Sequence, residues 1–180
     1  MSALPSIARF APSPTGPLHF GSLVSALASF LDARQRNGQW LVRIEDLDPP
    51  REVPGASHQI LKQLESHGLR WDGTVLYQSS RLEAYAAALE SLIESGLIYQ
   101  CRCNRQRLQS LGGIYDGHCS QLQLPHQDCA ARLRVNSAHI SFNDQIVGQY
   151  SQNLQAEVGD FVVRRRDTLF SYQLAVVVDD

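Results

Sequence analysis

The chain has 180 residues, 43% of them hydrophobic, which is enough for one packed core and a small satellite module. Its formal charge of −2 excludes a molecule that attracts nucleic acid with its whole surface, so an RNA partner would require a local basic face. The N-terminus lacks the basic start of a signal peptide, and no apolar run reaches the ~20 residues of a membrane span. Four cysteines in such a chain are typical of metal ligands or free thiols, so we expect a soluble cytoplasmic protein.

The beginning of the chain is typical of a strand, a loop, a helix and a second strand. A short apolar run over residues 6–10 predicts the first strand, and helical spacing of apolar residues predicts a helix over 23–36 that Gly38 ends. Alternation over residues 40–44 predicts the second strand. Two strands joined by a helix run parallel, so we expect an α/β fold with a Rossmann-like parallel sheet.

The chain changes character after residue 100. Before that point lie a proline-rich loop, two amphipathic helices and a strand, over residues 49–55, 57–67, 81–95 and 97–100. Residues 101–129 hold all four cysteines and few aliphatic side chains, which indicates an inserted module. Short strands are predicted beyond it, over 131–135, 139–142, 146–150 and 161–163. These features divide the chain into a Rossmann-like half, an insertion and a remainder, over residues 1–100, 101–130 and 131–180.

The loop after the first strand has the composition of a phosphate cradle. In an open parallel sheet, ligands bind outside the carboxyl ends of the strands, where this loop lies. Gly16 and Gly21 remove side chains where a nucleotide would approach, and the next helix begins with free amide groups suited to phosphate oxygens. His19 would donate a hydrogen bond to phosphate oxygens that gain charge in a transition state. The alternative is a proline-stiffened turn with a surface histidine.

Two charged residues lie at the carboxyl ends of the two predicted strands, on either side of this loop. Arg9 offers two parallel N–H donors for a carboxylate, and Glu45 is placed to hold an ammonium group. Together they suit a ligand with amino-acid chemistry. Either residue alone is more often a member of a surface ion pair.

The cysteine-rich segment offers ligands for one tetrahedral zinc ion. Cys101 and Cys103 form a close pair, and Cys119 lies beyond a pair of glycines. Further candidate ligands lie nearby, namely Tyr115, His118, His126 and Cys129. Chemistry alone favours His118 or Cys129 as the fourth ligand, because a phenol with a pKa of ~10 binds poorly until a metal deprotonates it. The alternative is a set of free cytosolic thiols.

Residues 9–22 (RFAPSPTGPLHFGS) and 41–48 (LVRIEDLD) resemble, in order and spacing, two motifs of the class I aminoacyl-tRNA synthetases in their glutamyl form. The resemblance implies a ligase that binds ATP with Mg²⁺ at Pro12, Gly16, His19 and Gly21, with His19 and Gly21 as the catalytic pair. It implies L-glutamate contacts at Arg9, Phe10, Ala11, Pro12, Ser13 and Glu45, where Arg9 takes the side-chain carboxylate and Glu45 the α-amino group. Residues 171–180 (SYQLAVVVDD) also resemble the family and imply a contact from Tyr172. For the metal, the resemblance implies a structural zinc held by Cys101, Cys103, Tyr115 and Cys119.

Two further stretches resemble one branch of this family, which glutamylates queuosine in the anticodon of tRNA(Asp). They are residues 48–56 (DPPREVPGA) and 112–119 (GGIYDGHC). The resemblance implies a monomer that forms glutamyl-adenylate without tRNA and then transfers glutamate to queuosine-containing tRNA(Asp). Arginines beside the cysteines or near the end of the chain are candidates for contacts with tRNA phosphates: Arg102, Arg105, Arg107 and Arg164 to Arg166. Ordinary solvated arginines are the alternative.

The resemblance covers the whole chain, but members of the family contain a further segment that this chain lacks. Members complete the ATP site with a lysine-rich loop, whereas the one lysine here, Lys62, falls inside a predicted helix. We therefore expect a truncated catalytic domain that binds ligands but activates glutamate weakly or not at all. Two rival hypotheses remain: a fragment of an ordinary glutamyl-tRNA synthetase, and a non-enzymatic zinc-containing RNA-binding module.

Overall fold

The computed structural model describes residues 6–180, and the first five residues, which enter the signal-peptide argument, lie outside it. The chain forms two compact units, one up to Leu82 and one from Glu83 to Asp180. Within the described range, no helix is long and apolar enough to cross a membrane. The predicted three-part division of the chain stays a prediction.

The first unit is built on a three-stranded parallel sheet with its second strand in the middle. Its strands are β1 (Ile7–Phe10), β2 (Gln39–Ile44) and β3 (Leu76–Tyr77). Its helices are α1 (Phe20–Gln35) and α2 (Ala56–Ser66), with 3₁₀ turns at Pro49–Arg51 and Gln78–Arg81. The α/β class and the parallel sheet agree with the sequence prediction.

The core of the first unit lies around the middle strand. Trp40, Val42 and Ile44 alternate along β2 and are almost fully buried. The Trp40 ring stacks on Phe10 at 6.4 Å and meets Phe30 edge-on at 5.3 Å. This aromatic cluster fixes α1 against the sheet, and with it the loop that joins β1 to α1.

Helix α1 starts earlier than predicted, and part of its surface is apolar and exposed. It begins at Phe20 rather than Leu23, because His19 accepts a hydrogen bond from the Ser22 amide and caps the helix. A stripe of apolar side chains on this helix is exposed, formed by Phe20, Val24, Leu27 and Leu31.

The proline-rich loop contains one 3₁₀ turn, Pro49–Arg51, although the sequence predicts a rigid loop without helical residues. Proline is tolerated at the first positions of a helical turn, because the amide it lacks would have no partner there. The Arg51 side chain holds the turn closed by donating to the Asp48 carboxylate.

The second unit is mostly antiparallel. Three strands form one sheet in the order β4-β5-β8, namely β4 (Ile98–Cys101), β5 (Ala130–Leu133) and β8 (Phe161–Arg164). Two more form a separate hairpin, β6 (His139–Asp144) and β7 (Gly148–Asn153). The helices are α3 (Leu82–Glu94), α4 (Arg105–Ser110) and α5 (Tyr172–Asp179), with a 3₁₀ turn at His118–Gln121 and a π-helical turn at Leu154–Val158.

Strand β7 is displaced from its predicted range of 146–150. The Asp144 carboxylate accepts hydrogen bonds from the amides of Ile146 and Val147, both at 2.8 Å, and so forms the hairpin turn there. The apolar pair Ile146 and Val147 therefore lies at an exposed tip rather than in a strand.

Candidate functional site

The loop between β1 and α1 encloses a cavity of about 330 Å³ at the carboxyl end of the parallel sheet. Its walls come from the loop itself and from the first turns of α1. The lining residues are Phe10 to Ser13, Thr15 to His19, Ser22 and Ser25. The predicted residues Phe10, Ala11, Pro12, Ser13, Gly16 and His19 thus lie together around one cavity, which we call the cradle. Arg9 and Gly21 are adjacent in sequence to this lining but not part of it.

Three hydrogen bonds from backbone amides hold the cradle to the rest of the first unit. The Glu45 amide donates to the Pro12 carbonyl at 3.0 Å, and the Val53 amide donates to the Pro14 carbonyl at 3.0 Å. The Leu18 amide donates to the Gln63 side chain on α2 at 2.8 Å. The cradle is therefore fixed at three points, so little conformational entropy remains to be lost when a ligand binds.

The two glycines of the cradle motif have different tasks. Gly16 has φ of +146°, a region that L-residues rarely adopt, and a Cβ there would meet nothing within 4 Å. A Cβ on Gly21 would lie 3.2 Å from Cε1 and Nδ1 of His19. Gly16 therefore permits the turn, whereas Gly21 makes room for the histidine ring rather than directly for a ligand.

His19 is held in one orientation by α1. Its Nδ1 accepts from the Ser22 amide at 3.2 Å, so in the neutral ring the proton belongs on Nε2. Nε2 lies 3.1 Å from the Ser22 hydroxyl oxygen. The Nε2–H is therefore an exposed donor at the start of α1 that is shared with the Ser22 hydroxyl, and the predicted phosphate contact would take it over from that hydroxyl.

The two predicted charges lie at neighbouring strand ends. Strands β1 and β2 pair in parallel with Phe10 opposite Val42, and Glu45 follows the last residue of β2. Arg9 is exposed near the end of β1, whereas the Glu45 side chain is 9% exposed. The Pro12–Glu45 hydrogen bond brings the acidic residue to the wall of the cradle.

Arg43 is a contributor that the sequence prediction missed. Its guanidinium is buried and donates from Nη2 to Oε1 of Glu45 at 3.1 Å. A carboxylate has lone pairs for about four hydrogen bonds, so this ion pair does not exclude a ligand ammonium. It holds the Glu45 side chain in place beside the cradle. A charged residue inside an otherwise apolar strand is the sequence signal that would have identified it.

We expect the Arg43→Met variant to lower the free energy of unfolding by about 3–5 kcal/mol, because it removes the buried guanidinium that donates to the buried Glu45 carboxylate. Replacing both residues, Arg43→Met with Glu45→Met, should recover most of that loss. Urea titration followed by tryptophan fluorescence is suitable, since both tryptophans, Trp40 and Trp71, lie in the first unit.

Arg36→Met is the matched control for this prediction, because it removes an exposed ion pair with Asp32 on α1. We expect it to cost less than about 0.5 kcal/mol. Equal effects of Arg36→Met and Arg43→Met would show that Arg43 has no special role.

In the second unit, the end of β4 and the 3₁₀ turn at His118–Gln121 bring three thiols together. The sulfur atoms of Cys101, Cys103 and Cys119 lie within 4.8 Å of one another, with Cys103 and Cys119 at 3.5 Å. All are free thiols. We call this group with Tyr115 the thiol cluster. Zinc–sulfur bonds of ~2.3 Å in a tetrahedron require sulfur atoms at about this spacing, so the donor set fits zinc.

The Tyr115 hydroxyl points into the thiol cluster. Its oxygen lies 3.4 Å from the sulfur atoms of both Cys101 and Cys103, and it accepts from the Cys119 amide at 3.0 Å. Burial and the surrounding thiols raise the pKa of this phenol. Tyr115 would therefore join a metal as a phenolate only if the cation itself removed the proton.

The thiol cluster lies in an electropositive setting that the sequence prediction missed. Burial alone would raise the pKa of Cys101, but hydrogen bonds from Tyr115, the Cys103 amide and Arg132 outweigh it and lower that pKa to about 7. Burial raises the pKa of Cys103 instead. Arg132 itself is buried, lies 3.9 Å from the centre of the Tyr115 ring and donates to the Asp160 carbonyl.

The alternative ligands lie elsewhere in the described part of the chain. His118 and Cys129 are not members of the thiol cluster. The imidazole of His126 lies 3.1 Å from the Gln100 side chain. Tyr172 begins α5 in the second unit and is exposed, and its contact with an amino acid stays a prediction.

A known family model matches nearly the whole chain. The model described as tRNA synthetases class I (E and Q), catalytic domain, matches residues 7–180. The glutamyl-Q tRNA(Asp) synthetase of Serratia proteamaculans is 56% identical over 174 residues, which are 97% of this chain and 57% of that protein. The protein of the same name from Cronobacter sakazakii is 57% identical over 180 residues, or 100% and 60% of the two chains. The chain thus spans less than two thirds of the length of these relatives.

Solved structures show the same similarity at lower identity. A glutamate tRNA ligase from Elizabethkingia meningosepticum, crystallised with its amino acid, superposes with a TM-score of 0.83 at 27% identity. It is matched over 97% of this chain and 41% of its own. The glutamate-tRNA synthetase of Elizabethkingia anophelis gives 0.85 at 27% identity, over 98% and 42%.

Proposed function

We propose that this chain, which belongs to the catalytic-domain family of class I tRNA synthetases (E and Q), carries the glutamate- and ATP-binding half of an enzyme that glutamylates queuosine in tRNA(Asp). The observation that carries the proposal is the cradle, with a histidine-capped helix on one wall and a buried, arginine-oriented carboxylate beside another. This is a site for phosphate and ammonium together, as adenylate formation requires.

In the proposed first step, Arg9 binds the side-chain carboxylate of glutamate and Glu45 binds its α-ammonium group. The α-carboxylate oxygen then attacks the α-phosphorus of ATP, and the bond to pyrophosphate breaks. The amides at the start of α1 and the Nε2–H of His19 stabilise the charge that develops on the phosphate oxygens. Magnesium bound to ATP would neutralise further phosphate charge.

In the proposed second step, a hydroxyl of the queuosine cyclopentene diol attacks the carbonyl carbon of glutamyl-adenylate. An ester bond forms, AMP leaves, and the hydroxyl proton passes to solvent or to the departing phosphate. The choice of tRNA(Asp) is supported by the names of relatives at 56% and 57% identity. Structural similarity to glutamate tRNA ligases supports the amino acid.

The proposal includes a structural zinc ion. Cys101, Cys103, Cys119 and Tyr115 would hold it, which leaves no open position for a substrate. The ion would join the end of β4 to the 3₁₀ turn at His118–Gln121. Its chemistry is therefore to stabilise the second unit rather than to take part in acyl transfer.

A transfer assay with labelled glutamate and ATP tests the proposed function. It is run with this chain and with the same chain extended by the carboxyl-terminal segment of the Cronobacter sakazakii relative. We expect the extended protein to label queuosine-containing tRNA(Asp), and the 180-residue chain to label it weakly or not at all. Neither should label tRNA(Asp) with guanosine at that position. Labelling of tRNA(Glu) instead would assign an ordinary glutamyl-tRNA synthetase and contradict the proposal.

A further inference from the structure

A groove on the second unit lies outside both the cradle and the thiol cluster. It has a volume of about 660 Å³ and runs between α4, the start of β5 and the segment after β8. Its apolar lining residues are Leu108, Ala130 and Val162, which are half-buried and which we call its floor. A cleft of this size and floor accommodates a flat organic group.

The rim of this groove is basic. Arg105 and the consecutive pair Arg165 and Arg166, which are far from Arg105 in sequence, line it together with a single acidic residue, Asp167. Arg165 is paired with Asp167 at 2.6 Å. The rim therefore has an excess of two positive charges, although the whole chain has a net charge of −2. A local reversal of this kind favours a polyanionic partner.

Arg166 is held in place without losing its charge. Its guanidinium donates to the backbone carbonyls of Arg102 and Cys103, at 2.9 and 3.4 Å, and neither acceptor is ionised. Arg107, which the sequence analysis also names as a candidate for RNA contact, differs from Arg166 in its partner. Arg107 forms an ion pair with Asp116 and does not line the groove.

We infer that this groove binds an unpaired nucleotide of an RNA loop, with its base on the apolar floor and its flanking phosphates at Arg105 and Arg166. Unpaired bases stack on apolar and guanidinium surfaces, whereas a duplex keeps its bases inside and presents only phosphates. The inference rests on the proposed function, because it assigns part of the tRNA contact. An anticodon loop has the required chemistry.

Fluorescence anisotropy with the anticodon hairpin of tRNA(Asp) tests this inference on the 180-residue chain. We expect Arg105→Ala and Arg166→Ala each to weaken binding on the order of tenfold. Each should also make the plot of log affinity against log salt concentration less steep, by about 0.7 in slope. Arg105→Lys should retain the salt slope but not the full affinity, because it keeps the charge and loses the planar fork that donates two hydrogen bonds to a phosphate. Arg36→Ala, an equal loss of charge on α1, should change affinity less than twofold.

Two outcomes would overturn the inference. One is unchanged hairpin affinity in both groove variants, and the other is a blunt RNA duplex that binds as tightly as the hairpin and depends equally on Arg105. Glutamate titration of the same variants separates this inference from the proposed function. If the groove variants bind both glutamate and the hairpin normally, only the inference about the groove is wrong. If the unaltered chain does not bind glutamate specifically, the proposed function is wrong.

Discussion

Arg9→Ala is expected to weaken glutamate binding by about 100-fold, because it removes two parallel charge-assisted hydrogen bonds to the side-chain carboxylate, worth about 3 kcal/mol together. Isothermal titration of the 180-residue chain with glutamate measures this directly. Arg9 is exposed at the end of β1, so its removal should leave the unfolding transition almost unchanged.

Arg9→Lys and Arg70→Ala are the controls for this prediction. Lysine keeps the charge but not the planar fork, so Arg9→Lys should recover only part of the lost affinity. Arg70 is an exposed arginine of the same unit, in the loop after α2, and its replacement should leave glutamate affinity unchanged. Affinity in Arg9→Ala equal to that of the unaltered chain would remove Arg9 from the pocket.

Cys119→Ser is expected to reduce bound zinc from one equivalent to less than about one tenth. Structural zinc contributes on the order of 10 kcal/mol in small metal-dependent folds, so loss of one thiolate should also unfold the segment around the thiol cluster. Metal analysis after dialysis gives the stoichiometry. The local unfolding is measured as faster amide hydrogen exchange with solvent in the segment that runs from β4 to the 3₁₀ turn at His118–Gln121.

Cys129→Ala is the matched control for the metal prediction, since Cys129 is a buried free thiol outside the thiol cluster. It should keep one equivalent of zinc. Retention of that equivalent in Cys119→Ser, or its loss in Cys129→Ala, would contradict the ligand assignment. Tyr115→Phe tests the phenol separately, and full zinc retention there would exclude the phenolate but not the site.

The first unit was largely predictable because its signals are local. Alternation along β2 and the turn-rich loop before α1 follow from short stretches of sequence, and the structure places both close to their predicted positions. The start of α1 was misplaced because histidine is an uncommon cap. The exposed stripe on α1 shows that helical spacing alone does not determine which faces are buried.

The site itself depends on contacts that spacing does not reveal. Arg43 and Arg132 are buried cations whose roles come from Glu45 and from the Tyr115 ring. The sequence could nominate Cys119 as a ligand. However, its approach to Cys103 depends on the path of the chain between them, which no periodicity describes.

The central claim is that one amino acid is held between two neighbouring strand ends beside the cradle. A crystal structure of the chain with a non-hydrolysable glutamyl-adenylate analogue tests it most directly. We expect the phosphate mimic at the start of α1, with the guanidinium of residue 9 and the carboxylate of residue 45 each about 3 Å from opposite charges of the glutamyl group. An analogue bound elsewhere, or bound with neither side chain in contact, would contradict the account.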